Sequence, residues 1–496
     1  MRKYLYAASI QGIQQYIFQT NRLREIIGAS ALLDNAFSGR GNAPSIFNQF
    51  CRDLDVNTST IEVITAAAAN FRCVVDDEVG KRIARDFPKY LAEKVPGIQF
   101  SQVLVPIEGE NQFQQVYRQI HQLLQAQRNK SLISPDPPFM GVLKSRRTGG
   151  AAIVRKKGEY LDLLTSAKLN FSSEDALPFF EDFTGLPEVK KDRLPYSFKE
   201  LIKQTEDGDA ERMSWIAVVH ADGNSIGRRV ISLLAERDAH ERLKKFSEAL
   251  ANATKRAVNG ACREVLDATK EEKYYILRPI ILGGDDITLV IRADKALAFV
   301  KRYLELFEQY TKEDPNLGNG LTACAGVAFI KHKFPFHYGI DLAEKLTKEA
   351  KKASKGLDET SPPSSVSIFK VQSSYVESLE EMRKRTYGIS EGLEKKERPL
   401  YADPYFLRQP NGQGKYALLD DLMRHAQALY ESRNKEEEQK ALSKLRQYIE
   451  LLKIQPERAS MLLSRMKQVN GDFCKRLEVE NKPSILYDVL SVYSMM

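Results

Sequence analysis

The order of apolar runs around one glycine–aspartate turn constrains this chain most. Residues 215–221 (WIAVVHA) form an uninterrupted apolar run of strand length, and a helical stretch follows from about 224 to 268. Strands at 275–282 and 287–292 then flank Gly283, Gly284, Asp285 and Asp286, and a helix at 293–310 and a strand at 321–330 come after them. Short apolar runs bounded by turn residues read as strands, and longer stretches with a 3.6-residue period read as helices. The resulting order, βαββαβ, is the ferredoxin-like split motif. A helix at 340–352 and a strand at 366–371 extend it. Pro279 has no amide to give to a ladder, so its strand is expected at the edge of the sheet.

The N-terminal part repeats this layout. A strand at 4–8 leads into an amphipathic helix at 10–33, and strands at 61–65 and 71–75 join around residues 66–70 (AAAAN). A helix at 77–94 and a strand at 98–105 complete a second βαββαβ unit. Between the two units a helix at 112–127 precedes a Pro-rich break at 134–138 and a basic stretch. That stretch carries Lys144, Arg146, Arg147, Arg155, Lys156 and Lys157, with no acid before Glu159. It reads as a solvated loop, with contact to RNA, DNA or nucleotide phosphates as the alternative. Beyond Gly392 the sequence is helical and highly charged, and residues 434–440 (NKEEEQK) read as a solvated helix face. The expected fold class is α+β, with two ferredoxin-like units in tandem at 1–106 and 213–395. A connector at 107–212 joins them, and a helical domain occupies 396–496.

Composition removes several function classes. A chain of 496 residues is too long for one ordinary core, so two to four domains are expected. Five cysteines without a CxxC pair argue against a disulfide framework and against a cysteine zinc site. Six histidines without an HExxH pair argue against a histidine metallohydrolase. No apolar run reaches the length of a membrane span. The N-terminus, interrupted by Gln11, Gln14 and Gln15, is not a signal peptide, so a cytoplasmic protein is expected. The net charge of +8 suits phosphates or nucleic acid without selecting a partner.

Chemistry concentrates on three carboxylates. Asp222 ends the first strand of the second unit, and in this topology that strand lies beside the one led by Asp285 and Asp286. Joining a hydroxyl to an α-phosphate with loss of pyrophosphate is opposed by charge, and divalent ions held by a few converging carboxylates remove that obstacle. Asp222, Asp285 and Asp286 are therefore the expected ligands of Mg²⁺ or Mn²⁺, with the Gly223 carbonyl as a further ligand. Gly283 and Gly284 are expected to supply a turn with φ > 0 and to let a nucleotide approach bare backbone. Gly223, Asn224, Ser225 and Gly227 open a helix whose first amides suit phosphates. Arg228 and Arg229 follow directly and could reach a triphosphate.

The stretches HADGNSIG, LGGDDITLVI and TACAGVAFIKHKFPFHYGIDLAEKLTKEAKK resemble the active palm of the large polymerase-like subunit of type III CRISPR effector complexes, number ten in the Cas nomenclature. The opening SIQGIQQYIF and the hairpin TAAAANFRCVV resemble that family's first palm, and SRRTGGAAIVRKKGEY its zinc-binding connector without the cysteines. The resemblance covers about residues 1 to 395. It implies two palm domains and synthesis of cyclic oligoadenylates from ATP as an antiviral messenger. It also implies metal binding by Asp222, Asp285 and Asp286, and triphosphate contact by Lys351, for which an ordinary solvated lysine is the alternative.

Departures from the family shape the expectation. Asn224 stands where many members have an aspartate. Ser9 and the hairpin Ala68-Ala69-Asn70-Phe71 carry no carboxylate, so the first palm is expected to bind no catalytic metal. Neither zinc in the connector nor a His-Asp nuclease domain ahead of the first palm is expected. The expected partners are nucleoside triphosphates, with RNA or the subunits of an RNA-guided effector, or a second copy of the chain, left open. Two alternatives compete: a non-catalytic nucleotide- or RNA-binding scaffold of such a complex, and an enzyme resembling diguanylate cyclases. The second lacks the Glu-Phe after Gly-Gly-Asp, because Asp286 and Ile287 stand there.

Overall fold

The computed structural model describes residues 3–39, 44–67, 70–107, 113–129, 141–156, 158–172, 176–202, 214–236, 238–373, 377–387, 400, 402–410, 416–433, 436–479 and 483–496. The expectations placed on Ala68, Ala69, residues 134–138, Lys157, Gly392 and Asn434 lie outside them.

The first sheet holds β1 (Lys3–Gln11), β2 (Glu62–Ala67), β3 (Asn70–Asp76) and β4 (Gln99–Ile107) in the order β2-β3-β1-β4, all antiparallel. A small ribbon, β5 (Val154–Lys156) and β6 (Glu159–Leu161), stands apart from it. The second sheet holds β7 (Trp215–Gly223), β8 (Leu277–Leu282), β9 (Asp286–Arg292), β10 (Ala323–Lys331), β11 (Ser365–Lys370) and β12 (Tyr405–Phe406), in the order β12-β11-β10-β7-β9-β8. Its segment β10-β7-β9-β8 has the same order as β4-β1-β3-β2, so the chain is α+β with the ferredoxin-like strand order present twice.

The central strands follow from their side chains. Ile216, Ala217, Val218 and Val219 of β7 are all buried, which is why this strand reads as a continuous apolar run. Pro279 lies on β8, the outer strand, where the ladder with β9 shifts register between Pro279 and Ile281. An edge and a bulge are both places where a missing amide costs little. The helix Phe336–Leu357 packs on β7, β10 and β11. It comes closest at Gly326, where an added Cβ would stand 2.1 Å from the Ala343 carbonyl oxygen and 2.6 Å from the Thr347 amide nitrogen. Only a residue without a side chain lets the helix settle there. Gly326→Ala should push that helix outward and lower stability by about 1–3 kcal/mol, read by chemical denaturation.

Two expected helices are divided. Strand β1 runs on to Gln11, and Gly12, with φ of 60°, turns the chain into a short helix, Ile13–Ile17, before Leu23–Asp34. Residue 10 is thus in a strand and not in a helix. The stretch after Asp222 forms Ile226–Leu234 and Ala239–Asp267, because the amides of Ala235 and Glu236 bond three residues back and tighten the first helix to its end.

The connector's basic run is partly consumed internally. Arg147 pairs with both Glu25 and Glu159, Arg155 lies over the Tyr160 ring, and Lys156 donates to Asn170.

The C-terminal region does not begin as a purely helical unit. Tyr405 and Phe406 add to β11, so chain beyond residue 396 extends the second sheet. Buried Asp403 accepts from the Ile368 amide at 3.0 Å and pairs with Arg383 at 2.6 Å. Buried Asp488, on the helix Leu486–Tyr493, accepts from the hydroxyls of Tyr387 at 2.9 Å and Tyr405 at 2.7 Å. Burial pushes the Asp488 carboxyl up to about 7 and the Asp403 carboxyl up to about 6. The folded chain therefore keeps these protons at pH values where the unfolded chain has lost them. Their contribution is whole below about pH 4 and is lost as pH rises through 6 to 7. Asp488→Asn should flatten a decline on the order of 3 kcal/mol between pH 4 and 8, followed by urea unfolding at each pH.

No helix among the described residues is long and apolar enough to cross a membrane.

Candidate functional site

Asp222 is the penultimate residue of β7, and the ladder places it directly opposite Asp286, the first residue of β9. Asp285 sits in the preceding turn. Its carbonyl oxygen accepts from the Gly223 amide at 3.2 Å, and its carboxyl shares a hydrogen bond with Asp222. The turn closes on a Gly283 amide to Asp286 carbonyl bond of 2.7 Å, and Thr254 donates to the Gly284 carbonyl at 2.8 Å. The three carboxyls are thus brought together by one strand pairing and one turn.

Their electrostatics follow from crowding. Burial, followed by the charge and hydrogen bond of Asp222 and the charge of Asp286, pushes Asp285 up to about 7. Burial, then the charges of Asp222 and Glu344, pushes Asp286 up to about 7. Oδ1 of Asp286 is itself buried and has no hydrogen-bond partner among the described residues. Lys351 supplies the nearest compensating charge, with its Nζ 2.5 Å from Asp222 Oδ2 and 2.7 Å from the Gly223 carbonyl oxygen. Lys351 is therefore a neutralising partner of Asp222 in this arrangement, not a freely solvated lysine. Among the described residues no three carboxylate, imidazole or thiolate groups form a closed ligand set, and the Lys351 ammonium stands against Asp222 and the Gly223 carbonyl.

The glycines act differently from the sequence expectation. Neither Gly283 nor Gly284 has positive φ. At Gly284 a Cβ would meet nothing within 4 Å, and the same holds at Gly227, so both leave open space. At Gly223 a Cβ would stand 3.0 Å from Ile226 Cγ1 and 3.1 Å from the Asp285 Cβ, so glycine lets β7 and the turn close without displacing either neighbour. The left-handed residue is Ser225, with φ of 59°, which turns the chain into the helix Ile226–Leu234. Asn224 is buried and donates to Thr322 Oγ1 at 2.9 Å, while its Oδ1 and the Ser225 Oγ have no partner among the described residues. Arg228 pairs with Glu359 at 3.0 Å, outward from the carboxylates.

Three residues that sequence reasoning passed over belong to the same place. His220 lies 3.4 Å from Asp286 Oδ1 and 2.9 Å from Thr288 Oγ1, and burial lowers its pKa, so it stays neutral near pH 7. Glu344 is on the helix of Lys351, its carboxyl raised first by burial, and it accepts from Gln14, beside the first sheet. Tyr303 is buried beneath the carboxylates, whose charges, after burial, raise its hydroxyl. Spacing contained part of this signal. His220 is two residues from Asp222 on one strand face, and Glu344 is seven from Lys351 on one helix face.

In the first sheet the comparable position is neutral. Ser9 lies opposite Asn70, the first residue of β3, and its hydroxyl donates to Asn70 Oδ1 at 2.9 Å.

A family model described as Cas10/Cmr2, second palm domain, matches residues 215–360. This stretch is therefore similar to a Cas10/Cmr2 second palm domain. Over its whole length the chain shares its fold with solved structures of Csm1. It is similar to the crystal structure of the Csm1–Csm4 cassette in complex with pppApApA at a TM-score of 0.55 and 13% identity, covering 100% of this chain and 69% of that one. The cassette in complex with cA3 gives 0.55 and 14%, with coverage of 100% and 69%. Csm1 from T.onnurineus gives 0.52 and 15%, with coverage of 99% and 70%. No curated protein matches the sequence. The second palm thus carries Asp222, Asp285, Asp286 and Lys351, and the first sheet carries the neutral counterpart at Ser9 and Asn70.

Proposed function

We propose that the protein is a nucleotidyltransferase that joins ATP-derived nucleotides into cyclic oligonucleotides, with a single working palm. The observation that carries this reading is the register that sets Asp222 against Asp286 with Asp285 hydrogen-bonded between turn and strand. Crowded carboxyls with raised pKa, and a buried Asp286 oxygen that makes no hydrogen bond, form a site that a divalent cation relieves. The donors are all oxygen, as Mg²⁺ and Mn²⁺ prefer. Asp222, Asp285, Asp286 and the Gly223 carbonyl would hold the ion, which when bound supplies stabilisation of the charge on the α-phosphate and departing pyrophosphate.

The chain's own groups have assignable parts. Lys351, already among these oxygens, can contact the triphosphate once a metal neutralises Asp222. The open space at Gly284 and Gly227 admits a nucleotide against backbone. The turn at Ser225 aims the first amides of the helix Ile226–Leu234 toward phosphates. A hydroxyl of one nucleotide attacks the α-phosphorus of the next, a phosphoester bond forms, and the bond to pyrophosphate breaks. The first sheet, neutral at Ser9 and Asn70, serves as a partner that orders the acceptor side. Structures of the same fold hold pppApApA and cA3, which favours adenine nucleotides, and their Csm4 subunit favours an effector complex as the setting.

Incubation with each NTP and Mg²⁺ or Mn²⁺, with products read by mass spectrometry, tests the reading. Cyclic adenylates with stoichiometric pyrophosphate are expected. Turnover of GTP alone would favour the diguanylate-cyclase reading. Salt-sensitive RNA binding without pyrophosphate from any NTP would sink the enzyme and favour a scaffold.

A further inference from the structure

A second charged site lies at the opposite end of β7 from the carboxylates. Its walls are the end of β11, the helix Leu379–Tyr387, the helix Glu436–Ile454 and the helix Leu486–Tyr493. They enclose a cleft of about 740 Å³, within the range of small-ligand sites. Four cations line it, Lys370, Arg385, Arg446 and Lys453, against one carboxylate, Glu450.

The pairing inside the cleft is incomplete. Glu450 is engaged by Lys453 at 3.0 Å, and Arg385 is engaged by Glu377 at 2.7 Å. Among the described residues Lys370 and Arg446 have no carboxylate partner; Lys370 donates to the Ser494 hydroxyl. Lys370 is also held close to another cation. Its Nζ lies 4.5 Å from the centre of the Trp215 ring, and Lys331 Nζ lies 4.6 Å from the same ring. Burial first, and then Lys331, lower the Lys370 ammonium to about 8. Two like charges fixed around one aromatic ring, with a third cation opposite, are relieved by an anion. Tyr487, with Lys453 Nζ 5.0 Å from its ring centre, and Leu490 add an apolar wall beside these cations.

We propose that this cleft binds the phosphate of a nucleotide unit, either a free nucleotide or the terminal nucleotide of an RNA, through Lys370 and Arg446. The site is separate from the carboxylates. Seven residue steps along β7 separate Trp215 from Asp222, about 23 Å of extended strand.

The chain's single tryptophan reports directly on the site, because Trp215 is the ring under Lys370. Titration of the full chain in EDTA with ADP, with a 5′-phosphorylated oligoribonucleotide and with inorganic phosphate, followed by tryptophan emission, is the test. A saturable change that Arg446→Glu weakens at least tenfold, and that Arg446→Lys largely retains, is expected. Arg446 is exposed, so the folded state should survive both substitutions, checked by circular dichroism. Tighter binding of the oligoribonucleotide identifies an RNA end as the occupant, and tighter binding of ADP identifies a free nucleotide. An emission change equal in wild type and Arg446→Glu, or no change with any of the three probes, overturns the proposal.

Discussion

Asp286→Asn is expected to lower cyclic-product formation on the order of 10³-fold while the protein stays folded and loses no stability. The two halves of this result have one cause. In the folded chain Asp286 faces Asp222 across the ladder, has a buried oxygen without a hydrogen bond, and feels Glu344 as well. Keeping like charges there costs stability that a neutral amide of the same shape does not. Sites that carry such strain trade stability for activity. The amide keeps the strand start and the turn but weakens the binding of a divalent ion. Pyrophosphate release and thermal unfolding of the same preparation give both readouts. Activity within a few-fold of wild type, or a protein that melts earlier, would show that Asp286 holds the hairpin and does not hold a metal.

Arg383→Ala is expected to destabilise the protein by about 3–5 kcal/mol, the range for removing one partner of a buried ion pair. Arg383 and Asp403 are both buried, and Arg383 also pairs with Glu349 on the helix that carries Lys351. Without the guanidinium, the Asp403 charge is left in the interior, bonded to the Ile368 amide of β11. Asp403→Asn in the same chain should recover part of the loss, because it removes the stranded charge while retaining an acceptor for that amide. Denaturant midpoints of the two single variants and the double variant measure this as a cycle. Independent effects that simply add would show that the two side chains do not act as a pair. The substitution should also loosen the helix Phe336–Leu357, so nucleotide affinity is a useful second measurement.

The sheet order was legible because each unit alternates strand and helix with strong apolar contrast, and right-sized runs leave few ways to connect them. WIAVVHA and DITLVIR could be placed as neighbours from topology alone, and the ladder pairs them. Breaks inside helices were not legible. Gly12 could have sat in a helix, and its left-handed φ depends on where β1 ends against β4. The positive φ expected at Gly283 and Gly284 is not what the turn uses. The open space at Gly284 and the close packing at Gly223, at the end of β7, both depend on how distant segments pack. The small strand β12 was missed because two residues carry no period.

By itself the sequence determined the strand order of both units and the meeting of Asp222 with Asp285 and Asp286, since covalent order and side-chain period are local information. It also determined that the first unit has no carboxylate at the comparable place, because residue identity alone settles that at Ser9 and Asn70. Only the tertiary structure decided which cation answers the carboxylates. Lys351 reaches Asp222 and the Gly223 carbonyl because Gly326 lets its helix lie against β10. Likewise folding alone brings Lys331 and Lys370 to the Trp215 ring and sets Lys370 and Arg446 on the walls of one cleft. Charges far apart in sequence have no sequence pattern; their interaction falls off with distance in space, and that distance exists only once the chain has packed.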